Sequence, residues 1–103
     1  MAGGLETAFA RGAELRMTAI QVFTRNNTQW KIKPLTAAQI EAWEAARGRH
    51  PAEVLCHDSY LINLGSPDGA LWRKSRANFL EEAERCAALR IPYLVFHPGA
   101  PRA

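Results

Sequence analysis

Two histidines in this 103-residue chain, His57 and His97, each follow a short apolar run and lead into a loop rich in aromatic, amide and small residues. A neutral imidazole so placed can ligate a metal, and two imidazoles from neighbouring strands with a carboxylate make a common zinc set. The same side chains can equally end a strand by hydrogen bonding to the adjoining loop, because the cysteine spacing that marks a zinc site is absent. Asp58 is the acid beside His57. Strand alternation turns it, like Cys56, away from the face that His57 uses, which sets both aside as ligands. His50 falls in a turn, Gly48-Arg49-His50-Pro51, at the opposite edge and reads as solvated.

A second group with chemical potential is Thr24-Arg25-Asn26-Asn27-Thr28-Gln29-Trp30-Lys31. Arg25 and Lys31 suit phosphate. Asn26, Asn27 and Gln29 suit phosphate or sugar, and an indole suits a base or a gap in a duplex. The plainer reading is a polar loop with Trp30 anchored in the core, and that anchor role is favoured for the tryptophan. Tyr60 either wedges into a distorted duplex or covers the end of the sheet.

The elements that would position these residues alternate. At residues 4–16, Leu5, Ala8, Phe9, Gly12, Ala13 and Leu15 recur at helical spacing. Residues 18–23 are short and β-rich and read as a strand covered on both faces. Thr36-Ala37-Ala38-Gln39 has the form of a capping box, opening a helix that turns Ile40 and Trp43 inward and stops near Gly48. Residues 53–56 form a strand that delivers His57. Ser66 as cap and Pro67 at the first helical position open a long helix with Leu71, Ser75, Phe79, Ala83 and Cys86 on its buried side. Glu81, Glu82, Glu84 and Arg85 read as its solvated side. Residues 93–96 then deliver His97. The order helix-strand, three times over, implies right-handed crossovers and a parallel sheet with helices outside. In such sheets ligands gather at the C-terminal strand ends, where both histidines fall.

Composition limits the choice. One small domain is the most that 103 residues allow. A hydrophobic content of 48% with 22% charged residues argues against disorder. The net charge of +3 fits a nucleic-acid partner without requiring one. No apolar run approaches the ~20 residues of a membrane span and Met1-Ala2-Gly3-Gly4 is unlike a signal peptide, so a cytoplasmic protein is expected. Cys56 and Cys86 are expected as buried free thiols.

The run His57-Asp58-Ser59-Tyr60-Leu61-Ile62-Asn63-Leu64-Gly65 resembles the signature of the endonuclease IV family of abasic-site DNA repair enzymes. Phe23-Thr24-Arg25-Asn26, Gln29-Trp30, Pro34-Leu35-Thr36, Lys74-Ser75-Arg76, Glu84-Arg85-Cys86 and Phe96-His97-Pro98-Gly99 are similar to family segments in the same order. The resemblance covers residues 3–100 and implies an α/β fold, a partial (β/α)₈ TIM barrel of about three parallel strands with three outer helices. It implies that residues 1–103 are an incomplete endonuclease IV-like barrel domain, lacking the first strand and everything after the fourth. It also implies base excision repair by a three-zinc enzyme that hydrolyses the phosphodiester 5′ to an abasic site in double-stranded DNA. His57 and His97 would be zinc ligands; Tyr60, Arg25, Asn26, Asn27 and Gln29 would contact DNA; Asn63 and Gly65 would shape the loop. Two histidines hold at most part of a three-zinc site, so this chain alone is expected to be inactive and, with open sheet edges, poorly folded or self-associating. The pattern departs at Thr28, where relatives often carry an arginine, and at Arg90, where a glycine usually ends the helix. Two alternatives stand beside this reading: a metal-dependent sugar isomerase or epimerase relative, and a non-enzymatic DNA-binding or vestigial fragment.

Overall fold

Helix and strand alternate as their periodicities require: α1 (Thr7–Glu14), β1 (Ala19–Val22), α2 (Ala37–Arg49), β2 (Glu53–His57), α3 (Gly69–Ala88) and β3 (Tyr93–Val95). These come from a computed structural model that describes residues 4–25 and 30–101. The strands form one parallel sheet in the order β1-β2-β3, as three parallel strands with three helices. Ile20 and Val22 of β1, and Val54 and Cys56 of β2, point to one face, where Phe9, Trp43, Ala46, Cys86 and Leu89 from the helices bury them. Each such apolar side chain contributes roughly 1.5–3 kcal/mol on leaving water. Trp43, fully buried, lies 4.6 Å from Phe9 between ring centroids and donates its indole N–H to the Leu89 carbonyl at 2.9 Å. Helix α2 therefore braces the end of α3.

Helix starts follow local chemistry. The Thr36 side chain accepts from the Gln39 amide at 3.1 Å while the Gln39 side chain accepts from the Thr36 amide at 2.9 Å, the expected capping box. The start of α3 differs from expectation. Its cap is Asp68, whose carboxylate accepts from the Ala70 and Leu71 amides at 2.9 and 3.3 Å. Ser66 sits further back and accepts from the Asp68 amide. A carboxylate that reaches two free amides outcompetes a hydroxyl outside the first turn.

Three other expectations are corrected. The sheet is covered on one face only: Ala19, Gln21, Tyr93 and Val95 are exposed, because all three helices pack on the opposite side. In α1 the buried stripe is Phe9 and Gly12, with Leu5 and Ala8 partly covered, whereas Ala13 and Leu15 are exposed. Helix α1 ends at Glu14, leaving its C-cap Leu15 exposed just before Arg16, which has φ 56°. Glu82, assigned by its charge to the wet side of α3, is fully buried. Among the described residues no helix is long and apolar enough to cross a membrane.

Both α1 and α3 close with a left-handed residue that is not glycine. At α3, Arg90 has φ 54°, the Ile91 amide donates to the Cys86 carbonyl at 2.8 Å, and the Arg90 amide donates to the Ala87 carbonyl at 3.2 Å. This is the paired hydrogen-bond pattern that favours glycine at the left-handed position. An arginine there carries a steric penalty of about 1 kcal/mol. Arg90→Gly is expected to raise the free energy of unfolding measured in urea by about that amount; an unchanged or lowered value would contradict it.

Candidate functional site

Register explains how the two histidines meet. His57 pairs with Val95 across the β2–β3 ladder, and the Asp58 amide donates to the Val95 carbonyl at 2.9 Å. His97 lies two residues beyond Val95, so strand alternation returns it to the same face. The two imidazoles stand with ring centroids 5.2 Å apart on the open face of the sheet. Phe23, one residue past the Val22–Cys56 pair, completes the row at 5.4 Å from His57. Cys56 and Asp58, of opposite parity, are buried toward the helices, as alternation requires.

The two rings suit one shared ion. Imidazoles bound to one tetrahedral zinc, each nitrogen ~2.0–2.1 Å from it, have centroids roughly 5 Å apart. The His57 Nδ1–H donates to the Asp58 carbonyl at 2.8 Å, which leaves its Nε2 lone pair for a ligand. The described residues contain no group of three histidine, cysteine or acidic side chains able to hold a metal.

A cleft of about 320 Å³ opens over this pair, lined by His57, Tyr60, Ile62, Asn63, His97 and Gly99 among others. Tyr60 stands at its rim, 66% exposed, with its ring 5.6 Å from Phe23 and 5.8 Å from His57. Across the cleft, Asn63 fastens the two histidine loops together. Its Oδ1 accepts from Gly65 N at 3.1 Å and Ala100 N at 3.0 Å, and its Nδ2 donates to Ala100 O at 3.1 Å. Gly99, at φ 112°, passes so close that a Cβ there would collide with Asn63 Oδ1 and lie 2.9 Å from Gly65 N. Asn63 and Gly65 shape the loop by these contacts. Phe96 stacks edge-on against Phe79 of α3 at 5.0 Å and steadies the strand that carries His97.

Beneath the cleft lies a buried polar layer that charge-based reading missed. Thr24, Arg25, Asp58, Ser59, Ser75, Asn78 and Glu82 are all at most 9% exposed. Burial raises the carboxyls of Asp58 and Glu82 above their ordinary range despite amide or hydroxyl donors. Burial likewise lowers the Arg85 guanidinium. The cysteines are free: Cys56 is lowered chiefly by a hydrogen bond from Cys86, and that same bond pushes Cys86 up.

Arg25, expected at DNA phosphate, lies within that layer with its side chain 1% exposed. It donates to Asn78 Oδ1 at 2.8 Å and to the Trp30 carbonyl at 2.6 Å. Its placement follows from the acceptors on α3, which no local pattern announces. Trp30 is half-buried and outside the core cluster; its ring lies 4.5 Å under the Lys74 ammonium. Asn26, Asn27 and Gln29, the other expected DNA contacts, lie outside the described residues, as does Thr28. His50 is the C-cap of α2, three residues before the start of the central strand β2 and so away from the strand end that carries His57.

Residues 9–103 match the xylose isomerase-like TIM barrel family. A protein of Chloroflexus aggregans named probable endonuclease 4 is 48% identical over 103 residues, covering 97% of this chain and 35% of the relative. Its Chloroflexus aurantiacus counterpart, named alike, is 46% identical with the same coverage. Among solved structures, endonuclease IV from Thermus thermophilus superposes with a TM-score of 0.89 at 34% identity, covering 99% of this chain and 38% of that one. The chain thus spans 35% of the length of the curated relatives it matches.

The Asn63 contacts give a direct prediction. Asn63→Ala removes three hydrogen bonds and is expected to cost roughly 1–2 kcal/mol of stability. Amide exchange at Gly65 and Ala100 should accelerate beyond that of β2. Unchanged exchange at Ala100 would contradict the tether.

Proposed function

We infer function from kinship: this chain belongs to the xylose isomerase-like TIM barrel family, in its endonuclease IV branch, and we propose that it supplies part of the metal site and DNA face of a repair nuclease. The observation that carries this reading is the His57–His97 pair, 5.2 Å apart at adjacent strand ends in a cleft. The activity proposed for the whole enzyme is zinc-dependent hydrolysis of the DNA backbone on the 5′ side of an abasic site.

His57, its Nδ1–H held by the Asp58 carbonyl, would offer Nε2 to zinc, and His97 would offer a second nitrogen. Zinc bound there would supply Lewis-acid polarisation of the phosphodiester. Tyr60, projecting from the rim, would enter the gap left by the missing base, with Phe23 supporting its ring. Asn63 would keep the two ligand loops in one orientation. The endonuclease names of the relatives favour this reading over a sugar isomerase.

A catalytic zinc takes three protein ligands, and two imidazoles fall short. We therefore propose that this chain alone binds but does not cut. The exposed Tyr93, Val95 and Phe96 and, among the described residues, the unpaired outer edges of β1 and β3 would favour self-association. Free thiols suit a reducing cytoplasm.

The test uses the purified chain with zinc and end-labelled duplexes, with and without one abasic site. Preference for the abasic duplex without incision is expected, and Tyr60→Ala should weaken that binding by about tenfold. Equal affinity for intact and abasic duplexes would overturn lesion recognition. Incision 5′ to the lesion that His57→Ala and His97→Ala abolish would overturn the inactivity of the chain.

A further inference from the structure

We propose that one face of α3 is a positioning clamp for the two described flanks of the connection between β1 and α2, residues 24–25 and 30–33, and that Arg25 serves in that clamp instead of contacting phosphate. The residues involved, Lys74, Asn78, Glu81, Glu82 and Arg85, recur at steps of three and four and so share one side of the helix. They grip both flanks of the connection. On the first flank, Thr24 Oγ1 donates to Glu82 Oε2 at 2.6 Å and accepts from Arg85 Nε at 3.3 Å, while Arg85 Nη2 donates to the Thr24 carbonyl. Arg25 donates to Asn78 at 2.8 Å and lies 4.0 Å from Glu81.

The second flank is held by the same helix. Arg25 Nη2 donates to the Trp30 carbonyl at 2.6 Å, Lys74 lies over the Trp30 ring, and Arg85 Nη1 donates to the Lys33 carbonyl at 3.2 Å. Asn78 is itself oriented, because its Nδ2 donates to the Lys74 carbonyl at 2.8 Å. Charge-assisted bonds in a buried layer are stronger than the same bonds in water, and Glu82 and Thr24 are 0% and 4% exposed.

The helix is also tied to the histidine loop. Ser75 Oγ, fully buried, accepts from the Asn63 amide at 2.9 Å. One helix thus holds both described flanks of the β1–α2 connection and the His57 loop in a single frame. For DNA recognition this inference rests on the function proposed above: flanks held ready before DNA arrives lose less entropy on binding.

The clamp is tested by amide hydrogen exchange on the full chain, a readout that needs no DNA. Asn78→Ala is expected to accelerate exchange of peptides around Arg25 and Trp30 by about tenfold while β2 keeps its rate. Asn78→Asp, which still accepts from Arg25, should restore protection. Should Asn78→Ala fail to fold, Lys74→Met, at an exposed position, should accelerate exchange around Trp30 alone. No acceleration there, or one spread evenly over the chain, would overturn the clamp. In parallel, Asn78→Ala should weaken abasic-duplex binding by about tenfold. Loosened flanks with unaltered DNA affinity would support the clamp and count against DNA recognition by this connection. Failure of the unsubstituted chain to bind DNA would count against the proposed function alone.

Discussion

The parallel register that pairs His57 with Val95 is what the candidate site depends on. A slip of one residue would send His57 toward the helices and leave His97 on the open face, because successive side chains of a strand point to opposite sides. The register is held by apolar contacts on the covered face. Val54 and Cys56 cannot exchange places with Leu55 and His57 without exposing the core and burying an imidazole among Phe9, Trp43 and Leu89. The hydrophobic pattern that folds the sheet therefore also aims the imidazoles.

Above that sheet, organisation passes from apolar to polar toward the strand ends. Packing around Trp43 fixes α2 against the end of α3, and the layer of Thr24, Arg25, Asn78 and Glu82 fixes α3 against the connection after β1. A buried polar layer costs desolvation and holds direction better than apolar contacts do. That is an advantage beside a site whose side chains must keep their orientation. Asn63 extends the same logic across the cleft, with one amide side chain holding two backbone segments.

Much of this was readable in the sequence where the signal is local. The capping box at Thr36 and Gln39 needs only neighbours, and so does the alternation that sends Cys56 and Asp58 away from His57. Arg90 at a left-handed position was visible as a departure from a family pattern. What local reading missed depends on distant partners. Glu82 and Arg25 carry charges that a helical wheel or a loop composition assigns to solvent, and the Thr24 donor of Glu82 and the Asn78 acceptor of Arg25 lie more than fifty residues away. The open face of the sheet was misread because a β-rich run looks alike whether one face or both are covered.

Nitrogen-detected NMR of the imidazoles during a zinc titration decides whether His57 and His97 take up one metal ion together. For a shared ion, one nitrogen of each ring is expected to shift with a common midpoint; for His57 that nitrogen is Nε2, with Nδ1 still protonated toward the Asp58 carbonyl. Shifts with separate midpoints, a response from one histidine only, or zinc at Nδ1 of His57 would contradict it.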